Sequence, residues 1–407
     1  MKIRSITYFC NPKYPLENEI LKKAGAFLAE AKSAYEAAGY EVQTTRLATI
    51  PFPKLTRSND FSPSKAIEIA TTMSKILPQI GIAYASLGPA LIEYPDSYEA
   101  IPEAIAASEN IFFGGEMASK GKGISLSAVK ACAAIIQKAS TITPDGFANL
   151  RFAALANVDA GAPFFPAAYH DDDEPAFAIA TESADLAVNA FSNAKTLDEG
   201  RKALIVEIEK HGKAITRISS DELSNTKFGG IDFSFAPFPD DAHSLGNAVE
   251  KIGVPKIGMH GSLAAAAILT EAVDRADFPH VGFSGFMQPV LEDSVLAMRA
   301  AEGTLTIKDV LLYSAVCGTG LDTIPLPGDT PSGHIVPLLL DLCALALRLD
   351  KPLTARLMPI PGKRAGDETN FAFAFFAPSR VMALESAKLN SPLNSQEVLR
   401  INKRLNG

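Results

Sequence analysis

Ile3-Arg-Ser-Ile-Thr-Tyr-Phe9 is a strand-like run dominated by β-branched and aromatic residues. Glu17–Ala38 follows, with Ile20, Leu21, Ala24, Phe27, Leu28, Ala31 and Tyr35 recurring at helical spacing, so one helix face is apolar. Gly39 supplies the C-terminal cap, and Glu41–Leu47 reads as the next strand. A strand, an amphipathic helix and a second strand in that order call for a parallel or mixed sheet with helices packed on it.

The same alternation extends outward. Ser62-Pro63 opens a helix that ends near Leu77, and further helices are expected at Glu103–Ala107, Ser125–Lys138, Ala184–Phe191 and Leu197–His211. Leu245–Ile252, Leu263–Ala276, Leu291–Ala301 and Ile335–Leu349 continue the series. Strands are expected at Ile82–Leu87, Ile111–Phe113, Phe152–Ala156, Phe177–Ala180, Asp232–Phe235 and Val281–Phe283, then at Thr323–Leu326, Ala355–Pro359 and Phe371–Phe376. Roughly ten strands is many for an open twisted sheet, which points to closure into an α/β barrel with the helices outside. No Pro/Gly/Ser linker divides the chain, so residues 1–385 read as a single domain and 386–407 as a polar surface tail.

Composition sets the function classes. Of 407 residues, 47% are hydrophobic and 21% charged, which is globular and not disordered. A net charge of −8 with no Lys/Arg run disfavours nucleic acid and anionic membrane as partners, leaving small-molecule ligands. Cys10, Cys132, Cys317 and Cys343 are far apart and contain no CxxC pair, which fits a reducing compartment and suggests a cytoplasmic protein. Ile335–Leu349 is too short to span a bilayer and carries Asp341 and Arg348. A homo-oligomer is the expectation from the base rates of cytoplasmic enzymes.

Chemistry-bearing residues concentrate in the C-terminal half. Ser314-Ala-Val-Cys317-Gly-Thr-Gly-Leu-Asp322-Thr-Ile-Pro-Leu-Pro-Gly328-Asp329-Thr330 combines small residues with two carboxylates. Ile324-Pro-Leu-Pro-Gly328-Asp329 is echoed by Met358-Pro-Ile-Pro-Gly362 with Gly366-Asp367 close behind, which would set similar turns on neighbouring strands. Asp322, Asp329 and Asp367, with Asp232 inside the apolar run Phe228–Phe235, therefore form a candidate oxygen-ligand set for Mg, Mn or Ca. Asp329 with Thr330-Pro331 equally suits the cap of the following helix, whose N–H groups at Ser332 and Gly333 are placed to hold an anion. Asp232 needs an arginine, a metal or a ligand if it is buried.

His170 and Glu182 are the candidate proton-transfer groups, and His260, between Gly258-Met and Gly261, is a candidate ligand-facing loop residue. Cys317 is either a nucleophile or, more often for a thiol among small residues, a packing residue. No nucleotide-cofactor motif is present.

Gly230-Ile-Asp232-Phe-Ser, Gly282-Phe-Ser-Gly285, Pro289-Val-Leu-Glu-Asp293, the stretch 314–330, Pro163-Phe-Phe-Pro-Ala-Ala-Tyr-His170 and Glu182-Ser-Ala-Asp185 together resemble the domain-of-unknown-function 711 family, also called uncharacterised protein family 0210. The resemblance implies a barrel similar to the pyruvate formate-lyase-like glycyl-radical enzymes, with a loop entering it on which Cys317 would sit. The C-terminal segment Arg400–Gly407 lacks an Arg-Val-Xaa-Gly-Tyr-like radical site, and no adjacent cysteine pair occurs, which disfavours radical chemistry. The leading functional expectation is a hydrolase or lyase acting on a polar metabolite with a divalent cation. The rival is a non-catalytic metabolite-binding or regulatory protein.

Overall fold

The computed structural model describes residues 1–56 and 61–403 and shows a mixed α/β fold built on a large sheet. Among the described residues the strands are β1 (Lys2–Cys10), β2 (Val42–Thr49), β3 (Tyr84–Ala90), β4 (Ile111–Ser119), β5 (Gly123–Ser125) and β6 (Phe152–Ala156). They continue with β7 (Ala176–Glu182), β8 (Lys227–Ala236), β9 (Gly320–Pro327), β10 (Leu353–Ile360) and β11 (Val398–Leu399). The main path runs β8-β7-β1-β2-β3-β4-β6-β10-β9, and β5 and β11 form a short ribbon on β4. Neighbours from β1 through β6 along this path are parallel. β7 and β10 flank that group antiparallel, and β8 and β9 lie parallel to them. The sheet thus contains two groups of strands running in opposite directions.

Strand periodicity sorts side chains to two faces. Ile6, Tyr8, Leu47, Phe177, Ile179, Ile231, Phe233, Leu353 and Ala355 join the main core with the helices. Helix Asn18–Ala37 illustrates the packing, burying Leu21, Ala24, Phe27, Leu28, Ala31 and Tyr35, six of the seven positions its periodicity picks out. The opposite face carries Phe9, Ala48, Ala153, Ala178, Ala180 and Ala236, largely small side chains, and these pack on a loop.

That loop is Pro163-Phe-Phe-Pro-Ala-Ala-Tyr169. Thr7 Oγ1 donates to Pro163 O (3.0 Å), Ser86 Oγ donates to Pro166 O (3.4 Å), and His170 N donates to Thr49 O (2.9 Å). The alanines of the strands leave room for Phe164 and Phe165. The segment lying against this face is therefore 163–169. Cys317, expected on such a loop, instead follows helix Ile307–Tyr313 and precedes β9.

Two expected strands are absent. Val281–Phe283 is a turn with positive φ at Gly282 and Ser284, and Phe371–Phe376 is irregular because no strand edge pairs with it. The tail beyond 385 is more integrated than its polarity implies, since β11 pairs with Ile124 and Ser125 of β5. Helix Ser332–Leu349, at 18 residues, is long and apolar enough to cross a membrane by length and composition, but half of it is buried inside this globular fold.

Candidate functional site: an arginine-lined cavity

A carboxylate or guanidinium on the loop-covered face of the sheet must find a partner, because burial without one is costly. Thr44 and Arg46 of β2, and Thr354 and Arg356 of β10, are two residues apart and so share that face. Arg4 enters from β1 where its register against β7 shifts between Ile3 and Ser5. Glu182 ends β7, Asp322 lies on β9, and Glu292 comes from the 3₁₀ turn Val290–Glu292.

These residues form a continuous chain of charge. Arg4 Nη1 donates to Glu182 Oε2 (2.7 Å) and Arg4 Nη2 to Glu292 Oε2 (2.6 Å). Arg356 Nη2 donates to the other oxygen of Glu292 (2.7 Å) and to Asp322 Oδ2 (3.0 Å), while Arg356 Nε donates to Asp322 Oδ1 (2.5 Å). Gln43 Nε2 adds a bond to Glu182 Oε2 (2.7 Å). Burial pushes the Asp322 carboxyl above its ordinary range, Arg356 opposes that and Glu292 adds to it.

Arg46 is different. Its Nε donates to Thr44 Oγ1 (2.9 Å) and its guanidinium lies over the Phe165 ring (5.1 Å to the centroid), with no carboxylate in ion-pair reach among the described residues. Burial lowers its pKa to about 9, and the strongest nearby charge acting on it is the like charge of Arg4. Arg4, Arg46, Glu292, Asp322 and Arg356 line a cavity of about 370 Å³, whose remaining walls include Phe112, Phe147, Phe164, Phe165, Phe283, Phe373 and Phe375. Thr319 also lines it, and its Oγ1 is buried with no hydrogen-bond partner.

The aspartates expected to gather round a metal are held apart. β9 and β10 are indeed neighbours, with Leu326 opposite Pro359, so the repeated Pro-Xaa-Pro-Gly segments do lie side by side. Asp322, however, sits five residues before the end of β9, roughly 16 Å back along an extended strand. Asp329 is exposed in the turn beyond, and Asp367, also exposed, accepts from Arg364 N (2.7 Å). Both oxygens of Asp322 are taken by Arg356. Among the described residues no three His, Cys, Asp or Glu side chains are grouped to hold a metal ion.

Asp232 finds a partner that the sequence reading left out. Its carboxylate accepts from Phe283 N (2.7 Å), Ser284 N (2.8 Å) and Ser234 Oγ (2.7 Å), so backbone N–H groups satisfy it. It organises the turn Gly282-Phe-Ser-Gly285, where φ is +68° at Gly282 and a Cβ would collide with Asp232 Oδ2. Burial raises the Asp232 pKa to about 6, against 3.8 ordinarily. The folded state therefore binds a proton more tightly than the unfolded one, and the stabilisation this gives is lost as pH rises through about 6. Asp232→Asn, which titrates in neither state, is expected to melt below wild type by a margin that widens as pH falls from 7 to 5. Parallel melting curves across that range would show that Asp232 does not titrate there.

The other expected residues scatter. His170 is buried, its Nε2 bonded to Glu174 O (2.9 Å), and burial pulls its pKa down. His260 is exposed on a turn away from the cavity. Cys317 is buried, its Sγ accepting from Gly320 N (3.3 Å) and Gln288 Nε2 (3.6 Å), a packing role. Thr330 Oγ1 donates to Pro327 O (2.7 Å) and caps nothing; Pro331 holds the cap position of the next helix without a side-chain bond. Ser332 and Gly333 line a separate groove beside Lys130 and Lys388. Of the expected site residues, the cavity network unites Glu182 and Asp322. Glu292 joins the network, whereas its neighbour Asp293 caps a helix by accepting from Val295 N and Leu296 N (3.0 Å each) and also accepts from Leu245 N (2.6 Å).

Fold and cavity define an α/β protein with an arginine-lined pocket on one face of a mixed sheet. The chain belongs to the family described as Uncharacterised ACR (DUF711), whose model matches residues 1–381. It is similar to a UPF0210 protein of Pyrobaculum arsenaticum, 31% identical over 346 residues covering 81% of this chain and 76% of that protein. It is also similar to UPF0210 proteins of Thermoanaerobacter sp. (28% over 374 residues, 87% and 82%) and Neisseria meningitidis serogroup C (29% over 371 residues, 87% and 82%).

Proposed function

We propose that the chain is an enzyme that takes a small organic anion into the cavity, anchors it on Arg46 and moves a proton with Asp322. The observation that carries this reading is the guanidinium of Arg46, which faces the cavity with no carboxylate partner while Arg4 and Arg356 are each paired twice. An unpaired, partly buried cation is a destabilising arrangement, and such arrangements persist where a ligand completes them. Asp322 lines the same cavity with a raised pKa, as a proton-transferring carboxyl requires. Lyase-type proton transfer next to the anionic group is the chemistry this pair supports.

The test is thermal stabilisation of the protein by a panel of carboxylates and phosphates, then calorimetry and product analysis on those that bind. Failure of every anion in the panel to bind at millimolar concentration would overturn the reading. A non-catalytic binding protein is favoured by one observation: both oxygens of Glu292 and of Asp322 are already held by guanidinium groups. Binding without turnover would select it.

We further infer that the sheet closes into a ten-stranded barrel of the pyruvate formate-lyase type. The segment 279–290 supports this by bonding to both edges, with Ile231 N donating to Pro279 O (2.7 Å), Phe235 N to Gly285 O (3.0 Å) and Gly318 N to Phe286 O (2.8 Å). Parallel bridges at Ile231–His280 and Pro289–Asp322 would make it the fifth member of the second strand group. Four buried free thiols support a reducing, cytoplasmic setting.

A further inference from the structure

We infer that the ligand of this cavity is an aromatic carboxylate; the inference rests on the anion-binding reading and adds the nature of the ligand's body. A guanidinium selects an anion of any kind, so the walls must decide what the anion is attached to. Here the walls are rings. Phe165, beneath Arg46, meets Phe112 edge-on (5.4 Å between centroids), and Phe112 meets Tyr84 in the same way (5.5 Å). Glu109 and Arg151 also line the cavity, so the rings form an apolar wall bounded by charge.

The other wall comes from the irregular segment 371–376. Phe373 packs edge-on against Phe147 (5.0 Å) and lies 5.3 Å from Phe375, over which Arg4 is stacked (5.3 Å). Phe373 and Phe375 are only half-buried although they sit in an aromatic cluster, so each ring keeps a face free toward the cavity. A planar ring between such walls gains offset or edge-to-face contacts that an alkyl body of equal area does not. The volume of about 370 Å³ suits a single ring with short substituents and lies at the small end of ligand pockets.

The polar groups fit the same occupant. Arg46 is on β2, with Arg356 on β10 four strands along the sheet and Asp322 on β9 five strands along. Asp322 and Thr319 line the same cavity as Arg46, and the unsatisfied Thr319 hydroxyl can meet a polar substituent on the ligand. Inorganic phosphate or acetate would fill one end and leave the aromatic walls wet.

The experiment is calorimetric titration of the wild-type protein with benzoate, cyclohexanecarboxylate, acetate, inorganic phosphate and benzyl alcohol, repeated with Phe373→Leu and Phe375→Leu. Benzoate is expected to bind at least about tenfold tighter than cyclohexanecarboxylate, and more so than acetate, with benzyl alcohol negligible. Each leucine variant is expected to lose up to about tenfold for benzoate and nothing for acetate, and to melt with the wild type. Equal affinity for benzoate and cyclohexanecarboxylate, or phosphate or acetate as the tightest ligand, overturns the aromatic assignment and leaves the anion site standing. Binding of none of the anions, or of benzyl alcohol as tightly as benzoate, removes the anion site itself.

Discussion

Arg46→Met is expected to weaken binding of the anionic ligand by roughly 10- to 150-fold, the worth of a charge-assisted hydrogen bond of about 1.5–3 kcal/mol. The ligand-free variant is expected to melt higher than the wild type. Both effects have one cause. Arg46 is partly buried beside Arg4 with no carboxylate paired to it, so its charge costs stability until an anion offsets it. Methionine fills similar space without the charge. A variant that bound the ligand normally, or melted well below wild type, would show that Arg46 is an ordinary structural residue.

Glu292→Gln is expected to have the opposite pairing of effects. Glu292 joins the two guanidinium groups of the cavity network, accepting from Arg4 at 2.6 Å and Arg356 at 2.7 Å. Removing one partner of a buried ion pair costs about 3–5 kcal/mol, and the loss here falls on a link between three segments of the fold. Arg4 keeps Glu182 and Arg356 keeps Asp322, so the variant is expected to fold but to melt far lower. Its cavity carries one negative charge fewer. Anionic ligands are therefore expected to bind at least as well as to the wild type and to raise its melting temperature by more. Denaturant unfolding with and without ligand checks both halves.

The alternation of elements was legible because each strand and helix carries its own period. β6 matches its expected bounds at Phe152–Ala156, and helix Leu245–Ile252 matches at both ends. The errors have local causes. Phe371-Ala-Phe-Ala-Phe375 alternates like a strand, but its rings cover a cavity instead of joining a sheet. Leu197–His211 was expected to stop before Gly212, whereas the helix runs on to Asp221. Gly212 is there to admit Phe278, whose Cβ would lie 2.8 Å from an added Cβ.

The site was less legible. Acidic residues near Gly and Pro suggested a rim, yet distance along β9 separates Asp322 from Asp329, and arginine rather than metal balances Asp322. The signal for Arg4, Arg46 and Arg356 was present in the sequence. Each is a charge inside a strand of largely apolar and hydroxyl residues, the argument applied to Asp232, and it was not extended to cations. What one sequence could not give is which strands face one another, because that depends on pairings such as β1 with β7 and β6 with β10.

The central claim is that a small organic anion sits in this cavity on Arg46. A crystal structure of the wild-type protein grown with saturating benzoate tests it most directly. The account predicts density for the carboxylate against the Arg46 guanidinium, the ring between Phe165 and Phe373, and the Arg4–Glu292–Arg356 chain intact. Benzoate found elsewhere, or a cavity filled by a repositioned Phe373 or Phe375 with Arg46 paired to a protein carboxylate, would contradict it.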